Sequence, residues 1–314
     1  SIPQIKEENE KKLEISEYPK EWNQELWKAC WNSEKEWVDF TRPQWEKLSH
    51  IEHKNYTTAY QKWYAQQKGL VNPDIIISKD IKIVLILIPP GRFWMGSSGH
   101  EQGRGRDELL HEVSLPIPFW MGQCEVTQQQ WKTVMGNQPA GRHDFKKGDE
   151  NMPVEYVSFH ETWKFCHKIH VRLPTEPEWE YACRAGTITP FYWGEQWDTN
   201  QVNSVFHEKI KELTEVKSFS PNAFGLYDML GNVSEWCKDN YNPDYRETPK
   251  DGTAWEKENS NSIVYRGGNY KHREQSDFRC ARRFSQGGGR PELYIGFRFV
   301  RELGDCCVPC PEHT

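Results

Sequence analysis

The 314-residue chain has no long hydrophobic run; its most apolar stretch, IVLILI at 83–88, is six residues long. A membrane-spanning helix needs about 20 consecutive apolar residues. That run therefore suits a buried strand, and no membrane partner is expected. There is also no basic excess: 40 Lys and Arg stand against 46 Asp and Glu, for a net charge of −6. Nucleic-acid recognition needs a concentrated basic face, so no nucleic-acid partner is expected either. No signal peptide is visible, although the chain starts at Ser1 rather than Met. The nine cysteines lack the rhythm of a disulfide framework. Cys30, Cys124, Cys166, Cys183, Cys237 and Cys280 each sit among apolar or aromatic neighbours. Free, buried cysteines fit a reducing compartment, and a cytoplasmic location is the expectation.

What the chain has in place of aliphatics is aromatic surface. Fifteen Trp and thirteen Tyr can build a core, since each ring buries a large area. The length suits one large domain or two smaller ones. Residues 1–18 form a charged lead-in and 19–80 a helical extension with its linker. Trp27 and Trp31, with Trp22, Leu26 and Cys30 on an adjoining stripe, predict a helix over 20–40. Thr41 and Gln44 form a capping-box pattern with Pro43 in the first turn, which predicts a second, antiparallel helix to Gln67 with Gly69 at its end. Its apolar face is Trp45, Leu48, Tyr56, Ala59, Tyr60 and Trp63. His50 and His53 share one face of it, either as a solvent-facing pair or as two metal ligands.

The main domain spans 81–302. Strands are expected within 111–126, from partial period-two alternation. Three capping boxes, Thr127 with Gln130, Ser158 with Glu161 and Thr175 with Glu178, predict three short helices. The second is expected to bury Trp163, Cys166 and Ile169, and the third Trp179 and Ala182. A polar loop fills 137–151. The tail 303–314 carries Cys306, Cys307, Cys310 and His313, which read as a frayed terminus, half a zinc site or a redox pair.

The stretch on which the chain turns is NAFGLYDMLGNVSEWCKD, 222–239. It sets Phe224, Leu226, Met229, Leu230, Val233 and Trp236 around a Gly231–Asn232 turn. Asp228 and Glu235 flank that turn. Either they simply face water at a hairpin, or they direct oxygens at a hard cation such as calcium.

FGLYDMLGNVSEW resembles the signature of the formylglycine-generating enzyme, or sulfatase-modifying factor, family. The likeness continues in IPPGRFWMGS, VTQQQW, MPVEYVSFHET and RLPTEPEWEYACRAG upstream, and in YRGGNY, FRCARR and GFRFV downstream, over about residues 83–301. It implies an α+β fold: an irregular C-type-lectin-like domain of the formylglycine-generating-enzyme type, here with an N-terminal helical extension, braced by structural calcium and carrying a surface cleft. The resemblance maps one calcium site onto the carboxylates of Asp228 and Glu235 and the carbonyls of Gly231 and Val233. It maps another onto the Asn203 side chain and the Ser204 carbonyl, although the acidic loop that comes next in the family has no clear counterpart in VFHEKIKELTEV.

In catalytic members two cysteines between the RGG and RC motifs bind copper as thiolates and activate oxygen to oxidise a substrate cysteine to formylglycine. Here that interval reads NYKHREQSDF, with His272 and Asp277 at or near their places. An imidazole and a carboxylate cannot reproduce a thiolate copper centre. Cys280 matches a structural position of the motif. Asn269, Tyr270, His272, Arg273 and Asp277 form the expected recognition surface. Arg279, Arg282, Arg283 and Arg290 serve either an anion or internal ion pairs.

Related ergothioneine-type sulfoxide synthases add a helical iron-binding domain, but the extension here lacks their H-x-x-x-H-x-E pattern. The expectation is a non-catalytic ligand- or protein-binding module with structural calcium and no redox metal, meeting a protein partner through the extension or the cleft. The alternative is an oxygen-dependent iron or copper enzyme of the wider family. A third is a hypervariable receptor, whose Asn-rich cassettes 269–295 does not match.

Overall fold

The computed structural model describes residues 16–78, 81–139, 148–207 and 212–303. The lead-in before Ser16 and the cysteine-bearing tail lie outside the described residues, as does most of the polar loop.

The extension differs from two long helices. Its first helix, α1 (Gln24–Cys30), is short, with the Asn23 side chain accepting from Leu26 N at its start. The chain then turns through Asn32, whose Oδ1 accepts from Lys35 N at 3.0 Å. A local side-chain-to-backbone bond of this kind competes with helix continuation. The turn closes a hairpin of β1 (Trp31–Asn32) and β2 (Trp37–Asp39). The Thr41 capping box does not form, because the Thr41 hydroxyl donates to Asp39 at 2.6 Å. Pro43 instead starts a single turn, α2 (Pro43–Glu46). The long helix, α3 (His50–Gln67), begins at its own capping box, Ser49 with Glu52.

The strands form three four-stranded sheets, and the extension contributes to two of them. β3 (Asp74–Ser78) pairs with β4 (Ile81–Ile88), which carries the IVLILI run. β5 (Gly91–Met95) lies parallel to β2 and antiparallel to β6 (His111–Leu115). β7 (Phe119–Gly122) joins the sheet of β3 and β4. The three expected helices are present: α4 (Gln128–Met135), α5 (Phe159–Lys168) and α6 (Glu176–Arg184), each with its capping box. Trp163 was expected in the core but is 58% exposed, while Phe165 is fully buried. The inward face of α5 runs through Thr162, Phe165 and Cys166, one position off the stripe that Trp163 suggests.

The last sheet comprises β8 (Ser234–Asn240), β9 (Ser262–Arg266), β10 (Arg283–Gly287) and β11 (Ile295–Gly296), and β12 (Val300–Glu302) closes the β7 edge. With this mixture of helix and antiparallel and parallel strand around long irregular segments, the α+β expectation holds.

The aromatic stripe of the extension packs inward. The Trp45 indole donates to Gly186 O at 2.8 Å, Tyr60 to Pro90 O at 2.8 Å, and Gln61 to Leu87 O at 2.7 Å. Trp22, Trp27, Trp45 and Trp63 are all buried in one core continuous with the main domain.

Candidate functional site

The segment 222–233 is not a hairpin. Asn222 pins its start: Nδ2 donates to Ala182 O at 2.7 Å, and Oδ1 accepts from Phe224 N and Leu226 N. The chain then bends through positive φ at Asp228, Gly231 and Asn232. A Cβ on Gly231 would stand 2.6 Å from Asn203 O, so that close approach requires glycine. The six apolar residues around the turn are all buried, and β8 starts directly after it.

The two acids of this turn have different surroundings. Glu235 is fully buried and receives Arg298 at both oxygens, 2.7 Å each, with Trp179 Nε1 at 2.8 Å. Its charge is matched by Arg298. Among the described residues one N–H reaches the Asp228 carboxylate, the Lys217 amide at 2.6 Å. Burial raises its pKa to about 6. Beside it lies Glu125, which sequence reasoning missed. Glu125 is fully buried, and neither of its oxygens has a hydrogen-bond partner among the described residues. Burial first, and then the charge of Asp228, push its pKa well above the ordinary carboxylate value. The only available signal was an acid within an apolar stretch, FWMGQCEV.

At the other expected site Asn203 is buried, and its Nδ2 donates to Asn232 Oδ1 and Glu212 O at 3.0 and 2.9 Å. Its Oδ1 is buried with no partner among the described residues. The Ser204 carbonyl accepts from His207 N. Residues 208–211 lie outside the described residues.

The five recognition residues do not converge on one cavity. Asn269 is buried, with Nδ2 on Ser234 Oγ at 3.1 Å, and Tyr270 is buried with its hydroxyl 3.4 Å from Glu155. The His272 ring lies 4.8 Å from Phe284, and burial lowers its pKa. Asp277 faces Arg282 Nε at 3.4 Å. Arg273 alone of the five lines a groove of about 790 Å³. That groove runs over Phe191, Trp197 and Phe206, with Glu195 and Glu274 at its rim.

The arginines mostly brace the fold. Arg279 donates to Glu108 and Glu101, and Arg283 to Glu176, all at 2.7–2.8 Å. Arg266 joins Glu176 to Glu180 in a fully buried cluster. Cys280 is also interior, with its sulfur 3.6 Å from that of Cys183. His53 is buried against Trp45, and its Nε2 lies 2.9 Å from the Trp45 carbonyl. Among the described residues, no three His, Cys, Asp or Glu side chains gather in a way that could hold a metal. No helix there is long and apolar enough to cross a membrane.

Comparison with known proteins agrees with this architecture. Residues 81–303 match the family described as "Sulfatase-modifying factor enzyme 1-like domain". Over 293 residues the chain is 28% identical to "Serine/threonine-protein kinase pkn1" of Chlamydia pneumoniae, covering 82% of this chain and 45% of that protein. That share exceeds the family region and everything after it, so the alignment includes part of the extension. The chain thus spans less than half the length of that kinase relative. It is 31% identical over 200 residues to the formylglycine-generating enzyme of Streptomyces coelicolor, covering 59% of this chain and 61% of the enzyme. It is 35% identical over 117 residues to the "Inactive C-alpha-formylglycine-generating enzyme 2" of Mus musculus, covering 34% and 38%. Among solved structures, PvdO from Pseudomonas aeruginosa superposes with a TM-score of 0.66 at 28% identity, covering 74% of this chain and all of that one. The sequence motifs, the fold they build and these relatives together place the chain in the sulfatase-modifying factor, or formylglycine-generating enzyme, family.

Proposed function

We propose that this chain is a non-catalytic member of its family, a ligand- or protein-binding module on a calcium-braced scaffold. The observation that carries the reading is the chemistry at 272 and 277. Where catalytic relatives place two copper-binding thiolates, this chain has an imidazole packed on Phe284 and a carboxylate paired with Arg282. The next cysteine along the chain, Cys280, is fully buried, with its sulfur 3.6 Å from that of Cys183.

The calcium reading rests on oxygens with no partner among the described residues. Glu125 has two of these and Asn203 one, all buried, and a buried acceptor left bare is costly unless a donor or cation meets it. Glu125 and Asp228, with the Gly231 and Val233 carbonyls, would hold one ion, which would supply positive charge to a buried carboxylate pair. Glu235 contributes less than the sequence suggested, since Arg298 already holds it. Asn203 Oδ1 and the Ser204 carbonyl would serve the other site.

The groove beside Arg273 is the recognition surface in this reading. Its aromatic floor includes Phe191, Trp197 and Phe206, which offer ring surface to a ligand while Arg273 and Glu274 offer charge. The aromatic face of the extension already packs on the domain itself, which leaves the groove for an outside partner.

The test combines metal analysis with an aldehyde assay. Purified protein should contain calcium without stoichiometric copper or iron. Incubation with copper, air and a thiol-bearing peptide should yield no aldehyde. An aldehyde product, or one redox metal per chain that is lost in His272→Ala, would establish an oxygen-dependent metalloenzyme instead.

A further inference from the structure

Trp163 is the most exposed tryptophan among the large hydrophobic side chains that remain accessible, at 58%. It stands on the outer face of α5, where its ring stacks on His167 at 5.3 Å and 29°. It also forms one wall of a second groove, of about 640 Å³. This groove shares no lining residue with the one beside Arg273.

Its floor is apolar and fixed. Phe159 and Ile263 lie there beside Gly288, where a Cβ would come within 2.9 Å of Ile263 and 3.3 Å of Phe159. Its far wall is polar and balanced in charge. Lys238 and Glu256 pair at 2.8 Å while both remain largely in solvent, and Lys257 is offset by Glu258. Asn261 accepts from Gly288 N through Oδ1, and its Nδ2 has no protein acceptor among the described residues. An aromatic plate thus faces exposed donors and acceptors across a cleft with no net charge.

That combination selects a ligand with one apolar face and many neutral hydroxyls. A charged ligand gains nothing from a balanced wall, and a purely apolar one would leave the Lys238, Glu256 and Asn261 groups desolvated without partners. A pyranose ring meets both demands: its C–H face lies on an indole while its hydroxyls hydrogen-bond the rim. We propose that the groove between α5 and the 256–261 segment binds a neutral glycan, with Trp163 as the stacking platform and Lys238, Glu256 and Asn261 as hydroxyl partners. This site is separate from the binding reading for the Arg273 groove and stands or falls without it.

The test is saturation-transfer NMR and calorimetry on the full chain, with cellotetraose, maltotetraose and chitotetraose as probes. At least one should bind with a millimolar or tighter constant. Trp163→Ala, a change at an exposed position, should weaken it at least about tenfold while the melting temperature holds. Glu256→Gln should weaken binding less, because the amide still accepts a hydroxyl hydrogen bond. Absence of binding by all three sugars, or binding unchanged in Trp163→Ala, would overturn the proposal. Tighter binding of an acidic or basic peptide that the sugars do not displace would also overturn it.

Discussion

If calcium sits between Glu125 and Asp228, removing one carboxylate should change stability in opposite directions with and without the metal. Without calcium, the wild-type chain holds two buried acids against each other, one of them with no donor at either oxygen among the described residues. Glu125→Gln replaces a buried, titratable carboxyl with a permanently neutral amide that can donate to Asp228. Relieving an unsatisfied buried polar group in this way is worth about 1–3 kcal/mol. The variant should therefore melt higher than wild type in chelator. With calcium at a hundredfold excess over its dissociation constant, binding to the folded state alone stabilises wild type by about 2.7 kcal/mol. For a cooperative unit this large each kcal/mol moves the midpoint by roughly 1.5 °C, so the wild-type gain should be about 4 °C. Glu125→Gln should lose most of that gain. Calorimetry of both proteins in chelator and in calcium measures all four states. Identical wild-type melting in the two buffers would refute the reasoning. So would a Glu125→Gln variant that is destabilised in chelator yet keeps its full calcium response.

Buried contacts set three further outcomes. Trp45→Ala removes a fully buried indole and its bond to Gly186, and should cost about 3–5 kcal/mol. Its chemical denaturation should stay a single transition, since α3 and the main domain share one core; a separate early transition of the extension would contradict that. Arg298→Met strands the Glu235 charge in the interior and should cost about 3–5 kcal/mol in urea denaturation. Adding Glu235→Gln should recover part of that loss. The pKa of His53 is lowered mainly by burial. The unfolded chain then binds the proton more tightly than the folded one, so stability is full above the unfolded value near pH 6.5 and falls as the pH drops below it. Urea midpoints at neutral and mildly acid pH should show this fall, and His53→Gln should reduce it.

The parts of this fold that were legible in the sequence are those set by chemistry within one turn. Thr127, Ser158 and Thr175 each cap a helix because an acid or amide three residues on reaches back to the same residue's amide. The failures share a cause: the deciding partner lies far along the chain. Asn32 and Glu36 turn the chain back so that Trp37–Asp39 can bond to β5, about fifty residues on, and no local pattern announces that pairing. Ser49 with Glu52 had the same signature as Thr41 with Gln44, but Pro43 drew the start of the helix to the wrong pair. Asp228 and Glu235 looked equivalent in sequence. They are separated by Arg298, which neutralises one of them, and by Glu125, which burdens the other.

The RGG and RC motifs show why scaffold and chemistry can part company. Gly267 and Gly268 both take positive φ, and a Cβ on either would stand 2.9 Å from a backbone oxygen, of Met229 and Asp277 respectively. Arg266 sits at zero exposure between Glu176 and Glu180, and Arg279 is held by Glu108. These residues fix the path of the 269–280 loop whatever its side chains do. Nothing in that framework needs a thiol at 272 or 277, so replacing both leaves the architecture, and the sequence likeness, intact. A match to these motifs therefore reports the shape of the loop. At positions 272 and 277 this chain holds a ring on Phe284 and a partner for Arg282.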